Sequence, residues 1–530
     1  MGKGKCKKSS SETGSGGGSK ALRLAIEEVV NEAVSIQDSA SDLGAADAAA
    51  TLEAATHKYR EALSRLPGHA EAGYNLATCL SEQADLKRDP RQKVMLLRES
   101  RGVLEGVIAA DTSGRGATTA LAHHALGNVI RALVEAFRDH CPTAPCPDCL
   151  AIRCPSAAEC QQELAQACRH LEAAISVSKR LQNQAGGVEE ALVHWGDVLS
   201  SMMQIVMDGC GSSFVSGQGT GGRPLTGSAS DVAAVREALA LCSNACSKYS
   251  EALESGTTSG VSDTDTLRLK AGTIVNFLDW ALPEAPHQPL GGMFFSPEAL
   301  LVTGEQAVGV LLGLDENNVS GLLAMGDLCR LRARVSMLLG AGVQEETRWR
   351  EASAAWFARA VSLSESPLDS ETLTAAGEGL LEYGRRCMTV YKEAVSRAAG
   401  GFSLSAGFPS LLEFEPMRSS AVSRLQEAGN LLSRACSADA SDADLPYNAA
   451  CAFALSGDAP SCSRALGEFC RRLTQVIATD GGVSWTSSKR DAARRSLEDA
   501  GGDVDLESVR GAPWFDDLLR RTDAALAGAA

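Results

Sequence analysis

The chain has 530 residues, enough for several ordinary domains or one elongated array, and it carries a formal net charge of −16. An acidic protein repels phosphate backbones, so we expect no nucleic-acid partner. The charge suits basic protein partners, or it simply keeps the protein soluble. Hydrophobic residues make up 44% of the chain and aromatic residues only 5%, in segments rich in alanine and leucine. Those residues favour helix over sheet, so the composition predicts an all-α fold.

Residues 1–20, MGKGKCKKSSSETGSGGGSK, are predicted to be a disordered basic tail. The tail lacks the apolar core of a signal peptide, and no apolar run of the chain is long enough to predict a transmembrane segment. A lipid anchor through Gly2 and Cys6 is disfavoured, because the myristoylation motif has serine or threonine where this chain has Cys6. The 17 cysteines, without an export signal, predict reduced thiols in a cytoplasmic protein.

Residues 55–80 predict two helices joined by a turn. Ala55, Tyr59 and Ala62 have the spacing of one helix face, and Pro67 ends that helix. The pattern GYNLA follows at residues 73–77, where small residues permit the close approach of a second helix.

Both halves of this pattern recur in alternation along the chain. The GYNLA-like half returns at residues 123–127, 192–196, 268–272, 322–329, 373–377 and 447–450. The alanine–aromatic–alanine half returns at residues 100–107, 167–174, 245–252, 353–360 and 428–435.

These residues resemble the tetratricopeptide repeat, a helix–turn–helix unit of 34 residues. The resemblance implies a tetratricopeptide-like α-α superhelix, a solenoid of antiparallel helix pairs, over residues 21–490. A generic helical bundle is the alternative. Insertions near 139–160, 209–231 and 283–297 interrupt the period, and residues 83–95 are expected to lengthen one turn. Residues 491–530 are expected to form capping helices, with Trp514 and Phe515 against the last pair, or to hold a linear motif for another protein.

The insertion at 139–160 is a candidate metal site. Cys146 and Cys149 have the two-residue gap that lets two thiolates bind one zinc ion, and Cys141, Cys154, Cys160 or His140 could complete the set. The alternatives are a plain loop and a thiol switch. No other cofactor is expected.

Catalytic motifs are not found. The G-x-G-x-x-G pattern at 217–222 follows no predicted strand, so it does not predict a nucleotide site. His123 and His124 point to different helix faces, and they and His194 are interpreted as isolated surface or packing residues. We therefore expect no enzymatic activity.

The resemblance also implies where partners bind. In such arrays the first helix of each pair lines a groove that holds a peptide or a partner helix. The positions of this chain that match the groove are Glu71, Tyr74, Asn75, Thr78, His124, Asn128, Arg131, His194, Asp197, Asp327, Arg330, Glu378 and Glu382.

Three functions follow as hypotheses from these patterns. The first is a non-enzymatic scaffold or assembly factor for other proteins, and the alternatives are an acidic escort for a basic client and a zinc- or thiol-dependent regulatory factor. The clamp with which some such arrays bind the carboxylate of heat-shock chaperones is not predicted. Asn75 matches that clamp, but Leu121 and Ala125 stand where it requires basic residues.

Overall fold

The computed structural model describes residues 17–87, 89–111, 116–140, 155–181, 187–209, 229–255, 263–282, 296–363, 370–399, 411–439, 442, 444–478, 495–498 and 500–528. Helices and turns account for the regular structure of these residues, and no strand occurs among them. The chain divides into two compact units, residues 1–210 with 232–273 and residues 211–231 with 274–530. We call them unit 1 and unit 2.

Unit 1 is a series of helix pairs. Its helices are α1 Gly17–Ala40, α2 Ala45–Arg65, α3 Ala70–Asp85, α4 Pro90–Ala110, α5 Ala117–His140, α6 Ala157–Arg180, α7 Val188–Gly209, α8 Ala229–Ser255 and the beginning of α9 Asp263–Ala281. Each helix from α1 to α6 packs on the next one along the chain, and the odd-numbered helices α1, α3, α5 and α7 also contact one another in turn. Tyr249 of α8 donates a hydrogen bond to Asp197 of α7. We call the odd-numbered helices first helices and the even-numbered helices second helices.

Unit 2 repeats this arrangement. Its helices are the end of α9, then α10 Pro297–Leu314, α11 Val319–Leu338, α12 Val343–Leu363, α13 Ser370–Ala399, α14 Leu411–Ala438, α15 Asp444–Ser456, α16 Ala459–Ala478, a 3₁₀ turn at Val504–Leu506 and α17 Pro513–Gly528. The first helices α11, α13 and α15 contact one another in turn. The prediction of an all-α fold of repeated tetratricopeptide-like helix pairs is confirmed.

A glycine in the first helix fixes how closely several of the pairs pack. A Cβ atom on Gly196 of α7 would lie 2.5 Å from the Tyr249 ring of α8, and one on Gly326 of α11 would lie 2.7 Å from the Phe357 ring of α12. Real Cβ atoms do not approach other atoms so closely, so only glycine admits the large side chain. Both rings are almost completely buried, and this contact between glycine and ring explains the recurring sequence pattern.

One predicted insertion is wrong. Residues 83–95 do not form a lengthened turn, because α3 continues to Asp85 and α4 already begins at Pro90. Asp89 caps α4 by accepting a hydrogen bond from the Arg91 backbone N–H, and Pro90 occupies the first turn, where its missing N–H costs nothing.

The C-terminal residues cover the last helix pair of unit 2. Phe515 is 1% exposed and belongs to the same hydrophobic core as Phe469 of α16, while Trp514 packs against that core. The 3₁₀ turn contacts α15, and α17 contacts α16. Most of the other predicted insertions, at 141–154, 210–228 and 283–295, lies outside the described residues.

Within the described ranges, no helix combines the length and the apolar character needed to cross a membrane.

Candidate partner-binding face

A polar side chain follows the packing position in six first helices. Because the glycine faces its second helix, the next residue is turned by about 100° and lies towards the neighbouring first helix. These polar residues are Tyr74, Asn128, Asp197, Thr273, Asp327 and Glu378. Several of them join one first helix to the next or to its second helix, so each unit has a polar face along its first helices.

In unit 2 this face is built around Arg330 of α11. Its guanidinium donates hydrogen bonds to Asp279 of α9 at 2.9 Å, to Glu382 of α13 at 2.8 Å and to Asp327 on its own helix at 3.1 Å. Three carboxylates therefore share one guanidinium, and its donors are already used within the chain. Such an arginine is a poor receptor for an incoming carboxylate.

Arg334 lies one turn further along α11 and is the buried member of the network, with a side chain 4% exposed. It donates to Asp279 at 2.9 Å and to Glu382 at 3.0 and 2.7 Å. Burial alone would raise the pKa of the Glu382 carboxyl, but the guanidinium groups of Arg334 and Arg330 outweigh burial and hold that pKa well below its usual range. The network is therefore ionised at neutral pH and fixes three first helices.

Glu378 of α13 forms no ion pair with any described residue. It accepts one hydrogen bond from the Asn448 amide of α15 at 3.1 Å, and its surface is open to solvent. Desolvation by the surrounding helices, opposed by Arg330 and reinforced by Asp442 and Asp327, raises the pKa of Glu378 to about 7. Desolvation also raises the pKa of Asp327. Glu378 is therefore an acidic group without an ion-pair partner among the described residues at this end of the face.

In unit 1 the corresponding face is built from histidine and amide groups. The Asn128 amide of α5 donates to His194 Nδ1 of α7 at 2.8 Å, and His124 Nε2 lies 2.6 Å from the same nitrogen. Asp197 accepts a hydrogen bond from the buried Tyr249 hydroxyl at 2.8 Å. The interpretation of His124 and His194 as isolated residues is therefore wrong, since the contact of α5 with α7 brings them together.

Arg131 differs from Arg330 in its partner. It forms an ion pair with Glu135 of its own helix at 2.8 Å, and Glu135 accepts a hydrogen bond from Ser201 of α7 at 3.0 Å. The Arg131 Nε atom is buried and has no hydrogen-bond partner among the described residues.

The four candidate residues of α3 lie on their own part of unit 1. Glu71 is exposed, whereas Tyr74, Asn75 and Thr78 are half-buried. The Thr78 hydroxyl donates to the Asn75 backbone carbonyl at 2.9 Å, so it is satisfied within the helix. Tyr74 packs against the core.

Sequence reasoning missed several residues of both faces. Asp279, Arg334 and Glu135 take part in the networks described above, and their sequence positions lie one to two turns beyond the recurring motifs. Helical periodicity could have found two of them, because Arg334 lies four residues from Arg330 and Glu135 lies four residues from Arg131, on the same helix face. Asp279 lies on the neighbouring first helix α9.

The cysteine site is only partly described. Cys160 lies inside α6, 4% exposed in the core of unit 1, and not in a loop. Cys141, Cys146, Cys149 and Cys154 lie outside the described residues.

The fold and the two faces define a helical-repeat protein with polar contacts between successive first helices. The chain matches no protein-family model, and none of the curated proteins is similar to it. Among solved structures it is similar to a circular tandem repeat protein with a novel repeat topology, at 11% identity over 96% of this chain and 98% of that one, with a TM-score of 0.27.

Two further similar structures are human IFIT1 and Naa15. IFIT1, in a dimer with PPP-AAAA, is 12% identical over 87% of this chain and 91% of its own, with a TM-score of 0.22. Naa15, in a structure of Naa15/Naa10 bound to HypK-THB, is 12% identical over 95% of this chain and 78% of its own, with a TM-score of 0.18. The fold assignment rests on the chain's own helices.

Proposed function

We propose that the chain is a non-enzymatic, tetratricopeptide-like scaffold whose unit 2 face binds a basic segment of a partner protein. The observation that carries this proposal is the imbalance at Arg330. Three carboxylates, Asp327 among them, saturate this arginine, while Glu378 lies on the same face with a raised pKa and no ion pair to any described residue. A lysine or arginine side chain would supply the missing charge.

The same charges favour a protein partner over a nucleic acid. A phosphate backbone would meet Glu378 and Asp327, and no cation of this face is left without a carboxylate among the described residues. The chain's net charge of −16 acts in the same direction.

The test is binding of a labelled lysine-rich peptide to the full chain, with a glutamate-rich peptide of equal length as the control ligand. We expect the double variant Asp327→Asn, Glu378→Gln to lose affinity by about tenfold or more, because a charged hydrogen bond contributes about 1.5–3 kcal/mol. The matched control is Glu298→Gln, which removes an exposed carboxylate from the second helix α10. Equal affinity of the double variant and the wild type would contradict the proposal.

A second candidate function is an escort that shields a basic client along much of its surface. The net charge of −16 supports it. The two functions differ in their response to salt, because long-range attraction is screened over about 10 Å at 0.1 M salt while short ion pairs in a partly buried site are screened less. An affinity that collapses between low and moderate salt, and that is insensitive to the double variant, would favour the escort.

A further inference from the structure

Three side chains of unit 1 converge in a way that neither partner binding nor packing requires. His124 of α5 and Glu190 and His194 of α7 each offer one ligand atom, and these atoms all lie within 4.8 Å of one another. We propose that these three residues form a binding site for a first-row divalent cation, with Zn²⁺ as the best match to two imidazoles and one carboxylate.

The helices explain why the three residues meet. Glu190 and His194 are four residues apart in α7, so both side chains lie on one face of that helix. The neighbouring first helix α5 contacts that face and contributes His124. Two helices therefore hold the three ligands. Zinc sites that keep one coordination position open have three protein ligands.

Glu190 has no other role in the described structure. Its carboxylate is half-buried and makes no hydrogen bond or ion pair with any described residue. Burial accordingly raises its pKa. An ionised carboxylate is costly to bury without a partner charge, and a divalent cation bound to Glu190 would supply that charge.

The histidines already have the protonation state that a metal needs. Burial lowers the pKa of His124 to about 4 and lowers that of His194 well below its usual range, with His124 and Arg131 adding to the effect. Both imidazoles are neutral at pH 7, and a cation on His194 Nδ1 would replace the hydrogen bonds that this nitrogen makes with Asn128 and His124.

A buried oxygen beside the site supplies an independent observation. The Asn128 amide donates to His194, but its Oδ1 atom is buried without a hydrogen-bond partner among the described residues. Buried polar atoms are normally satisfied. A water molecule on the open position of the cation would donate to this oxygen.

His124 Nε2 and His194 Nδ1 lie at hydrogen-bond distance from each other. Two imidazole nitrogens on a tetrahedral zinc, each about 2.0–2.1 Å from the ion, are separated by about 3.4 Å. The observed 2.6 Å between His124 Nε2 and His194 Nδ1 must therefore increase when the ion binds. The stacked rings, with centroids 4.8 Å apart, could separate by small side-chain rotations.

The chain contains its own control. His123 of α5 and His170 of α6 are also stacked, with their Nδ1 atoms 2.9 Å apart. No third histidine, cysteine or carboxylate of the described residues joins this pair within ligand distance. Both pairs are stacked histidines with ring nitrogens at hydrogen-bond distance, and only the pair of His124 and His194 has a carboxylate, Glu190, within ligand distance among the described residues.

The experiment uses the full chain with Cys141, Cys146, Cys149 and Cys154 replaced by serine, so that those thiols cannot bind the ion. Co²⁺ is titrated as a spectroscopic probe and Zn²⁺ is then added as a competitor. We expect one ligand-field band of nitrogen and oxygen character that saturates at one ion per chain. His124→Ala and His194→Ala should weaken binding by about tenfold to a hundredfold or more, and His123→Ala should leave it unchanged.

Glu190→Gln keeps the shape of the side chain and serves as the variant least able to disturb folding. A weakened Co²⁺ affinity in Glu190→Gln, with an unchanged circular dichroism spectrum, supports the site. Absence of the ligand-field band overturns the proposal. So does a band that Glu190→Gln leaves intact, or one that His123→Ala abolishes as readily as His194→Ala.

Discussion

Unit 1 and unit 2 use the same helix pairing but line their first helices with different chemistry. In unit 1 the face holds His124, Asn128 and His194, which are neutral and joined by hydrogen bonds. In unit 2 the same part of the repeat holds Arg330 and Glu382, which are charged and joined by ion pairs. The two units therefore share the packing of a glycine against a ring and differ in the polar side chains beside it.

The largest expected effect is on the buried ion pair of unit 2. Arg334→Met leaves Glu382 and Asp279 with less compensation, and removing one partner of a buried pair costs about 3–5 kcal/mol in the free energy of unfolding. Urea unfolding followed by circular dichroism measures this loss.

The control for this prediction is the double variant Arg334→Met, Glu382→Gln, which should recover part of the loss because it removes a buried carboxylate that has lost one of its guanidinium partners. A double-mutant cycle should give a coupling of about 0.5–3 kcal/mol. A cost below about 1 kcal/mol for Arg334→Met, the value typical of surface pairs, would show that the network is not buried in solution.

A smaller loss of stability is expected at the glycine positions, where the two units pack in the same way. Gly196→Ala in unit 1 and Gly326→Ala in unit 2 should each destabilise the protein by about 1–3 kcal/mol, because the added methyl group overlaps the Tyr249 or Phe357 ring. Thermal unfolding of each variant tests whether the two units share this packing rule.

Gly272→Ala is the matched control for these glycine variants. Gly272 has the same place in its sequence pattern, but an added Cβ atom would meet nothing within 4 Å. Alanine there should be neutral or stabilising by up to about 1 kcal/mol, as in an open helix position. Equal destabilisation at Gly272 and Gly326 would contradict the packing explanation.

Acidification should destabilise unit 1 at a higher pH than unit 2. The pKa of His124 falls from 6.5 to about 4 on folding, so the unfolded chain binds more protons in this window. The stability that neutral His124 contributes is present above pH 6.5 and is lost as the pH falls towards 4. Glu382 has a lowered pKa, so its contribution persists through this window and is lost only at lower pH.

Hydrogen exchange measured between pH 7 and pH 4, in a buffer with a chelator, shows which unit loses protection first. Protection of α5 and α7 should decrease before that of α11 and α13. His124→Gln should reduce the difference. Loss of protection first in unit 2, or at the same pH in both units, would be the opposite result.

The smallest expected effect concerns α3 of unit 1. Tyr74→Ala and Asn75→Ala lie far in sequence from the excess negative charge of unit 2, and we expect them to change affinity for the lysine-rich peptide by less than about twofold. Fluorescence anisotropy measures this. A loss as large as that of the Asp327, Glu378 double variant would place the binding face in unit 1.

Much of the fold could be predicted because each helix pair repeats a local pattern. The recurring motifs lie on separate helices from α2 to α15, in alternation. The second helices α10 and α16 were missed because their packing positions hold Gly304, Val308 and Leu311 in one case and Cys462, Leu466 and Phe469 in the other. These residues fill the same space without the alanine–aromatic–alanine pattern.

The polar faces could be predicted only in part, because sequence spacing locates residues on one helix but not across two. Asp327 and Arg330 were found from a motif, whereas Asp279 joins them from a helix about 50 residues earlier. His124 and His194 are 70 residues apart and become partners only through the contact between α5 and α7. Because insertions of varied length lie between them, no fixed repeat period predicts that contact.

The most direct test of the central claim is hydrogen exchange of the full chain with and without the lysine-rich peptide at neutral pH. If the charged face of unit 2 is the binding face, added protection should fall on α11 and α13, where Asp327 and Glu378 lie. Added protection confined to the second helices α12 and α14, or to unit 1, would contradict it.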